Sequence, residues 1–282
     1  MTKITSSQAV AAALLACGLS AIPAQAGPNR TWVSGLGTDS GACTRTAPCR
    51  TFAFAIGQTA AGGEIDVLDP AGYGPVTIAK AISIVNDGVG TAGITATSGN
   101  AITINTGATD SVHLRGLTLT GLSSRFNGIQ FGNSGNFEIE NCVIRDFDIG
   151  INIAPFALAD AKGMLSNVIT NDNGTGIFLD GSVTGASLNV TVADSVSSNN
   201  NVGVRLFSGT KTTVMVRNST VVNNNSGVVT NDGALYLARS TVTGNKIRGV
   251  LASGGTIFSY GDNDINGNVD DGVGSLTAVA AH

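Results

Sequence analysis

A motif that recurs about every 24 residues constrains this chain more than any other feature. Each copy has an alternating strand-like segment, an Asn- or Asp-rich turn, and a glycine followed by Ile or Val. The repeating glycines are Gly128, Gly150, Gly176, Gly203, Gly227, Gly249 and Gly272. A period of this length predicts a solenoid in which each repeat forms one coil.

Alignment on these glycines shows which residue types recur. β-branched residues follow the glycine directly and also precede it by seven positions, while Asn or Asp precedes it by four and by nine in most copies. We expect the β-branched columns to fill the interior of strands stacked ~4.8 Å apart. Asn and Asp tolerate left-handed backbone, so we expect them at two corners, stacked in a hydrogen-bonded ladder.

These columns predict an all-β protein built as a parallel β-helix. The Leu-x-x-Leu-x-Leu frame of leucine-rich repeats is missing, and propeller blades need ~40–50 residues each. Charged residues are only 12% of the chain and hydrophobic residues 42%, which excludes a disordered segment. The net charge of −4 does not provide the basic surface that binds nucleic acid. We also expect the protein to be a monomer.

Residues 1–26 have the order of a signal peptide. Lys3 precedes an apolar run from Ala9 to Ile22, and Ala24-Gln25-Ala26 is a small-x-small cleavage site. We therefore expect a secreted or periplasmic protein cleaved near Ala26. A lipoprotein anchored at Cys17 is the alternative, because Leu14-Leu15-Ala16-Cys17 is similar to a lipobox. No later segment has the ~20 apolar residues that span a bilayer.

The rest of the chain, residues 27–282, is interpreted as a single domain. Phe52, Ile56 and Thr59 have helical spacing, which predicts a short amphipathic helix that caps the open end of the solenoid. We expect a cap region over 27–62, coils over about 63–275 and a tail over 276–282.

Cysteine spacing fits an oxidising compartment. Cys43 and Cys49 flank a five-residue loop and predict a local disulfide, while a zinc site lacks the necessary Cys-x-x-Cys or nearby His. Cys142 lies in a strand-like stretch and is interpreted as a small buried residue.

Short motifs near the predicted mature N-terminus occur in the order of a known group. They are Trp32-Val33-Ser34, Gly37-Thr38-Asp39, Ala47-Pro48-Cys49-Arg50-Thr51-Phe52, Gly63-Glu64-Ile65-Asp66-Val67-Leu68, Gly72-Tyr73 and Val76-Thr77-Ile78. With the later repeats, they resemble exported right-handed β-helix proteins of the pectin-lyase-like fold. That superfamily includes polysaccharide lyases, polygalacturonases, uronan epimerases, carbohydrate binders and surface proteins, so the resemblance implies a polysaccharide-related role and no particular reaction.

The resemblance also implies that the strand after each glycine lines a substrate groove. Its outward residues, two places after the glycine, are Gln130, Asn152, Phe178, Arg205, Val229, Leu251 and Gly274. None is a carboxylate, whereas glycoside hydrolysis usually needs two. Aromatic rings pack on sugars and Arg binds carboxylates, so Asn152, Phe178 and Arg205 are the candidate ligand-binding residues.

Candidates for acid–base chemistry are few. Arg145, Asp148 and His113 are the ionisable residues that a non-standard catalytic site could use. Solvated surface positions remain the alternative for each of them.

One segment matches the opening of a calcium loop. Asp262, Asp264 and Asn266 have its D-x-[DN]-x-[DN]-G spacing, but Val273 replaces the bidentate Glu. Because the segment also falls on the repeat columns, no metal or cofactor is predicted, and calcium is kept as the alternative.

The sequence thus predicts an exported β-helix protein that binds an extracellular or envelope polysaccharide without a recognisable catalytic constellation. The alternatives are a polysaccharide lyase or hydrolase with a non-standard site, and a structural surface or adhesion spacer.

Overall fold

The computed structural model describes residues 27–133, 135–156, 160–182, 187–208 and 211–280. The predicted signal segment, with its cleavage site at Ala26 and the alternative anchor Cys17, lies outside the described residues. The described chain forms a right-handed parallel β-solenoid with very little helix.

The secondary structure consists of short strands in chain order. The first elements are β1 (Arg30–Val33), α1 (Phe52–Gln58), β2 (Gly63–Val67), β3 (Ala71–Gly72), β4 (Val76–Ile78), β5 (Ile82–Val85), β6 (Ala92–Thr95), β7 (Ile102–Ile104), β8 (Ser111–Arg115), β9 (Leu117–Phe131), β10 (Gly135–Glu140), β11 (Val143–Ile153), β12 (Ala161–Ser166) and β13 (Ile169–Asn171). The remaining strands are β14 (Thr175–Asp180), β15 (Leu188–Ala193), β16 (Val196–Ser198), β17 (Val202–Ser208), β18 (Thr212–Arg217), β19 (Thr220–Val222), β20 (Ser226–Thr230), β21 (Ala234–Ala238), β22 (Thr241–Thr243), β23 (Arg248–Ala252), β24 (Thr256–Ser259), β25 (Asp264–Ile265) and β26 (Leu276–Ala278), with a 3₁₀ turn at Val273–Ser275.

Each coil contributes one strand to each of three stacked faces. The first face is an 11-stranded parallel sheet in the order β1-β2-β5-β8-β10-β12-β15-β18-β21-β24-β26. The second face contains β3, β6, β13, β16, β19, β22 and β25, and the third contains β4, β7, β14, β17, β20 and β23. The long strands β9 and β11 pass from the second face to the third and join both into one 15-stranded sheet.

β-branched residues form the interior column of the third face as predicted, except Val273 after the last repeating glycine, which is 59% exposed in the 3₁₀ turn. The residues of this column pair directly along the stack and are at most 1% exposed. They are Ile129, Ile151, Ile177, Val204, Val228 and Val250. Each buries a branched side chain against its neighbours above and below, which is the environment that favours such residues in strands.

The second face is shifted by one residue from the predicted column in its earlier coils. Ile169, expected inside, is 38% exposed, whereas the next residue, Thr170, is fully buried. The ladder asparagine lies three residues before the glycine in the coils of Gly176, Gly203 and Gly227, but four before Gly249 and Gly272. Alignment on the glycines therefore superimposes residues that do not stack.

An asparagine ladder forms the corner between the second and third faces. Its rungs are Asn173, Asn200, Asn224, Asn245 and Asn268, and each rung after the first accepts from both the backbone N–H and the side-chain amide of the preceding rung at 2.7–3.1 Å. Asp271 accepts the last pair of bonds. The expected ladder is present, but the predicted column contained Asp172, Asn199 and Asn223. Each of these directly precedes a rung and has a left-handed backbone with φ of 56–59°.

The corner between the first and second faces carries a second ladder, built from serines. Ser195 accepts from the N–H of Val168, Ser219 from that of Ser195, and Ser240 from that of Ser219, each at 3.2 Å. Cys142 occupies the equivalent position two coils before Ser195, and its Sγ lies 3.2 Å from the carbonyl oxygen of Glu140. It is fully buried, as predicted, and burial raises the pKa of its thiol to about 12.

A disulfide closes a loop within the N-terminal region, and polar contacts to Asp69 join that region to the first coil. The predicted disulfide Cys43–Cys49 is present, with its Cα atoms 4.8 Å apart. Burial alone would raise the pKa of the Asp69 carboxyl. Hydrogen bonds from the Gly35 amide and the hydroxyls of Ser34 and Tyr73 nevertheless hold that pKa below its usual value.

The stacked faces extend slightly beyond the expected coil region at both ends. β1 lies in the segment interpreted as the cap and pairs with β2 of the first coil. β26 lies in the segment interpreted as the tail and pairs with β24 of the last coil. Both strands are short, so period-two alternation gave little signal for either.

Candidate functional site

The outward side chains of the third face form a continuous strip along the solenoid axis. Parallel register places them directly above one another in the order Thr77, Thr103, Gln130, Asn152, Phe178, Arg205, Val229 and Leu251. We call this set the third-face strip. The predicted ligand-binding residues Asn152, Phe178 and Arg205 occupy three consecutive positions in it.

Amide groups occupy two adjacent positions of the third-face strip, Gln130 and Asn152. Gln130 Oε1 accepts from Asn127 Nδ2 at 2.6 Å and from Asn152 Nδ2 at 2.9 Å. These bonds fix the orientation of the Asn152 amide. Its Oδ1 is buried and has no hydrogen-bond partner among the described residues. An unsatisfied buried acceptor is costly, so this atom is suited to a hydroxyl or N–H donor from a ligand.

An aromatic and cationic cluster adjoins these amides. The ring centroids of Phe178 and Phe207 lie 5.9 Å apart, and the Arg205 guanidinium lies 5.3 Å from the Phe207 ring centroid. Asn231 Oδ1 accepts from Arg205 Nε at 3.0 Å, which fixes the direction of the side chain. A guanidinium held in this way is preorganised to bind a carboxylate.

Phe207 belongs to this cluster but was missed in the sequence. It is 42% exposed and lies at a register shift between the paired strands β14 and β17. The alternation of Val204, Arg205, Leu206 and Phe207 puts Arg205 and Phe207 on one side of the strand, which is the signal that could have found it.

The three acid–base candidates do not share a face. Arg145 lies in the second-face part of β11 and donates from Nε to Thr120 Oγ1 at 3.4 Å. Asp148 is exposed where β11 passes to the third face. His113 lies on β8 of the first face. The lengths of the turns between strands set the face on which each of these residues lies, and the sequence spacing alone did not show this.

His113 has a charged partner that the sequence pattern did not indicate. Its Nε2 lies 2.6 Å from Glu140 Oε1, on the neighbouring strand β10. Arg115 Nη1 lies 3.8 Å from the same oxygen, and Arg115 Nε lies 3.4 Å from Asp87 Oδ1. The register of β8 against β10 creates this network, which could not be inferred from residues 27 positions apart.

The possible calcium ligands form hydrogen bonds within the scaffold. Asp262 Oδ1 accepts from the Arg239 N–H at 3.0 Å, and Asp264 Oδ1 accepts from Asn266 Nδ2 at 2.9 Å. Within the described ranges, no group of three or more His, Cys, Asp or Glu residues is arranged to hold a metal ion.

The sequence matches the family described as the right-handed beta helix region, over residues 80–247. This chain belongs to the right-handed β-helix family. The match spans the coils that carry both ladders and most of the third-face strip. A comparison with curated proteins found no significant match.

Comparison with solved structures gives several matches at low sequence identity. The pectate lyase Pel9A superimposes with a TM-score of 0.66 at 15% identity, covering 91% of this β-helix protein and 80% of that chain. A rhamnogalacturonan lyase gives a TM-score of 0.44 at 15% identity, with coverages of 81% and 75%. The A-module of the Azotobacter vinelandii mannuronan C-5 epimerase AlgE4 gives 0.40 at 14%, with coverages of 82% and 93%. At these identities the pectate lyase likeness shows the fold alone.

Helix is sparse in this β-helix protein. In the part of the chain that the structure describes, no helix is long and apolar enough to cross a membrane.

Proposed function

We propose that this protein binds an acidic polysaccharide along the third-face strip. The observation that carries the proposal is the cluster of Phe178, Arg205 and Phe207 next to the unsatisfied Oδ1 of Asn152. A carboxylate on the sugar would pair with Arg205, a pyranose face would pack on the phenyl rings, and a hydroxyl would donate to Asn152.

The geometry of the solenoid suits a polymer. Successive strands lie ~4.8 Å apart, so a chain lying along the axis meets a new side chain of the strip at each coil. The pectate lyase with the same fold acts on pectate, as its name states, which supports a carbohydrate ligand for this protein.

Binding without cleavage fits the strip better than catalysis does. None of its eight residues is an acid, whereas glycoside hydrolysis usually uses two carboxyl groups. A polysaccharide lyase or hydrolase and a structural surface spacer are the other outcomes that the experiment below distinguishes.

Calorimetric titration with acidic and neutral polysaccharides tests this function. We expect Arg205→Ala and Phe178→Ala each to weaken binding of the acidic polymer about tenfold, which corresponds to ~1.4 kcal/mol for one lost contact. Tyr236→Ala is the matched control, because it truncates a half-buried aromatic side chain on the first face.

The result also separates the alternatives. Unchanged affinity in both strip variants would refute the site. New reducing ends or unsaturated uronate absorbance would favour an enzyme, and the lack of any binding would favour the spacer.

We also propose that residues 1–26 direct the export of the protein and that the mature protein is a monomer. In addition, we propose that α1 caps the solenoid. The disulfide supports an oxidising compartment. Buried Phe52 and Ala55 of α1, whose N-cap is Thr51, support the cap. Mass spectrometry of the protein from its host should find an N-terminus at Gly27, whereas a lipidated Cys17 would contradict cleavage after Ala26.

A further inference from the structure

A groove on the outer surface of the first face contains reactive groups that the third-face strip lacks. Its volume is about 360 Å³, and its walls include Ser83, His113, Asn136 and Glu138. These residues come from three neighbouring strands, β5, β8 and β10, which stack in register. The groove is therefore a second, chemically different surface of the molecule.

Ser83 and His113 line this groove, and Glu140, outside the lining, contacts His113. Ser83 on β5 lies directly opposite His113 on β8, with both side chains on the outer surface. Oε1 of Glu140 on β10 lies 2.6 Å from His113 Nε2, and Arg115 Nη1 lies 3.8 Å from the same oxygen. Nδ1 is thus the ring nitrogen that remains available to accept a proton.

The surroundings of Ser83 support a reactive role. Within the described ranges its hydroxyl makes no hydrogen bond, although it lines the groove beside His113. A serine, a histidine and a carboxylate that orients the histidine are the elements of nucleophilic acyl transfer, and such hydrogen bonds are often long before substrate binds. Asn136 lies in the same groove and donates from Nδ2 to Ser111 Oγ at 3.4 Å.

We propose that Ser83, His113 and Glu140 hydrolyse short, uncharged carboxylic esters. Ser83 Oγ bonds to the ester carbonyl carbon while its proton passes to His113 Nδ1, and Glu140 stabilises the resulting imidazolium. The ester C–O bond then breaks and the alcohol leaves with that proton. Water attacks the acyl-serine through the same base, the carboxylic acid departs, and Ser83 regains its proton.

Charge around the groove defines the substrate class. Glu138 lines the groove and lies opposite His113 on β10, whereas Glu64, opposite Ser83 on β2, pairs with Arg30 at 2.9 Å. The Glu138 carboxylate repels an anionic ester. The volume of about 360 Å³ suits a small acyl group such as acetyl together with its alcohol.

Hydrolysis of p-nitrophenyl acetate by the full chain, together with labelling by a fluorophosphonate probe, tests the proposal. We expect turnover above the buffer rate and a label on Ser83, located by peptide mass spectrometry. Ser83→Ala should abolish both, and His113→Ala should lower kcat/KM at least about a hundredfold. Ser198→Ala on the second face is the control serine variant, and circular dichroism verifies that every variant is folded.

Glu140 acts as a positioning residue, and its variant has a distinct signature. Glu140→Gln keeps the size of the side chain but removes its charge, so kcat should fall while KM stays unchanged, because the ester does not contact Glu140. A purely structural role would instead change KM or the circular dichroism spectrum together with kcat.

The proposal is overturned if the wild-type rate equals the buffer rate, or if Ser83→Ala keeps its activity or its label. Ester hydrolysis and polysaccharide affinity are measured separately on the wild-type chain. The esterase and the polysaccharide-binding proposals can therefore fail independently.

Discussion

At the scale of single residues, buried asparagines satisfy the backbone of the corner between the second and third faces. Asn224 is fully buried, and its Oδ1 accepts from both the N–H and the Nδ2 of Asn200 at 2.9–3.0 Å. Its own Nδ2 donates to the Ser197 carbonyl and to Asn245. Each side chain thus replaces the water that a sharp, buried turn excludes.

Asn224→Ala should lower the free energy of unfolding by about 2–4 kcal/mol. The change removes the acceptor of the Asn200 backbone N–H and the side-chain donor to the Ser197 carbonyl, at ~1–3 kcal/mol for a buried unsatisfied group, whereas Asn200 Nδ2 keeps its bonds to Thr170 and Ser197. Urea denaturation measures the loss. Asn201→Ala, an exposed residue at the same corner, should change stability by ~0.5 kcal/mol or less, and an equal effect of both variants would contradict a special role for the ladder.

At the scale of the elements, the repeating glycines allow coils to approach closely. A Cβ on Gly203 would lie 2.5 Å from Val221 Cγ1, 2.8 Å from the Gly227 carbonyl oxygen and 2.9 Å from Asn224 Nδ2. The repeat pattern associated these glycines with the sharp corners. The structure gives a packing reason instead, since a side chain at Gly203 would separate the ladder from the third-face strand.

Gly203→Ala should destabilise the protein by about 1–3 kcal/mol, because the added methyl group has no space. Gly57→Ala is the contrasting control. It lies within α1, a Cβ there meets nothing within 4 Å, and helix propensity predicts a gain of ~0.5–1 kcal/mol. Thermal melts of both variants provide the comparison, and a shift of the same sign in both would refute the packing explanation.

At the scale of the whole molecule, stability is distributed along one axis. Every coil pairs with its neighbours through parallel strands, so a central coil has partners on two sides and a terminal coil on one. β1 and β26 are the end strands of the first face. In such a linear array, local stability follows the number of neighbours.

Amide hydrogen exchange should therefore be slowest in the central strands β12, β15 and β18, and faster towards β1 and β26. Exchange read by mass spectrometry of peptides measures this gradient. Uniform protection along the chain, or the strongest protection at β26, would contradict the expected pattern.

The sequence by itself determined the parallel β-solenoid and the third-face interior column through its period, and the disulfide through the spacing of two cysteines. Repetition at about 24 residues is local information, because each coil packs on an almost identical neighbour. The same repetition was enough to place Asn152, Phe178 and Arg205 on one strip. Alternation within β17 would also have added Phe207.

Only the tertiary structure decided which residues meet across coils with unequal turns. One extra residue between the ladder asparagine and the glycine, as at Asn245 and Gly249, shifts a column without changing the overall period. Likewise, the pairing of His113 with Glu140 and its position opposite Ser83 depend on strand register. Register is set by the complete stack of hydrogen bonds and turn lengths, so a sequence period predicts the solenoid but not every contact on its surface.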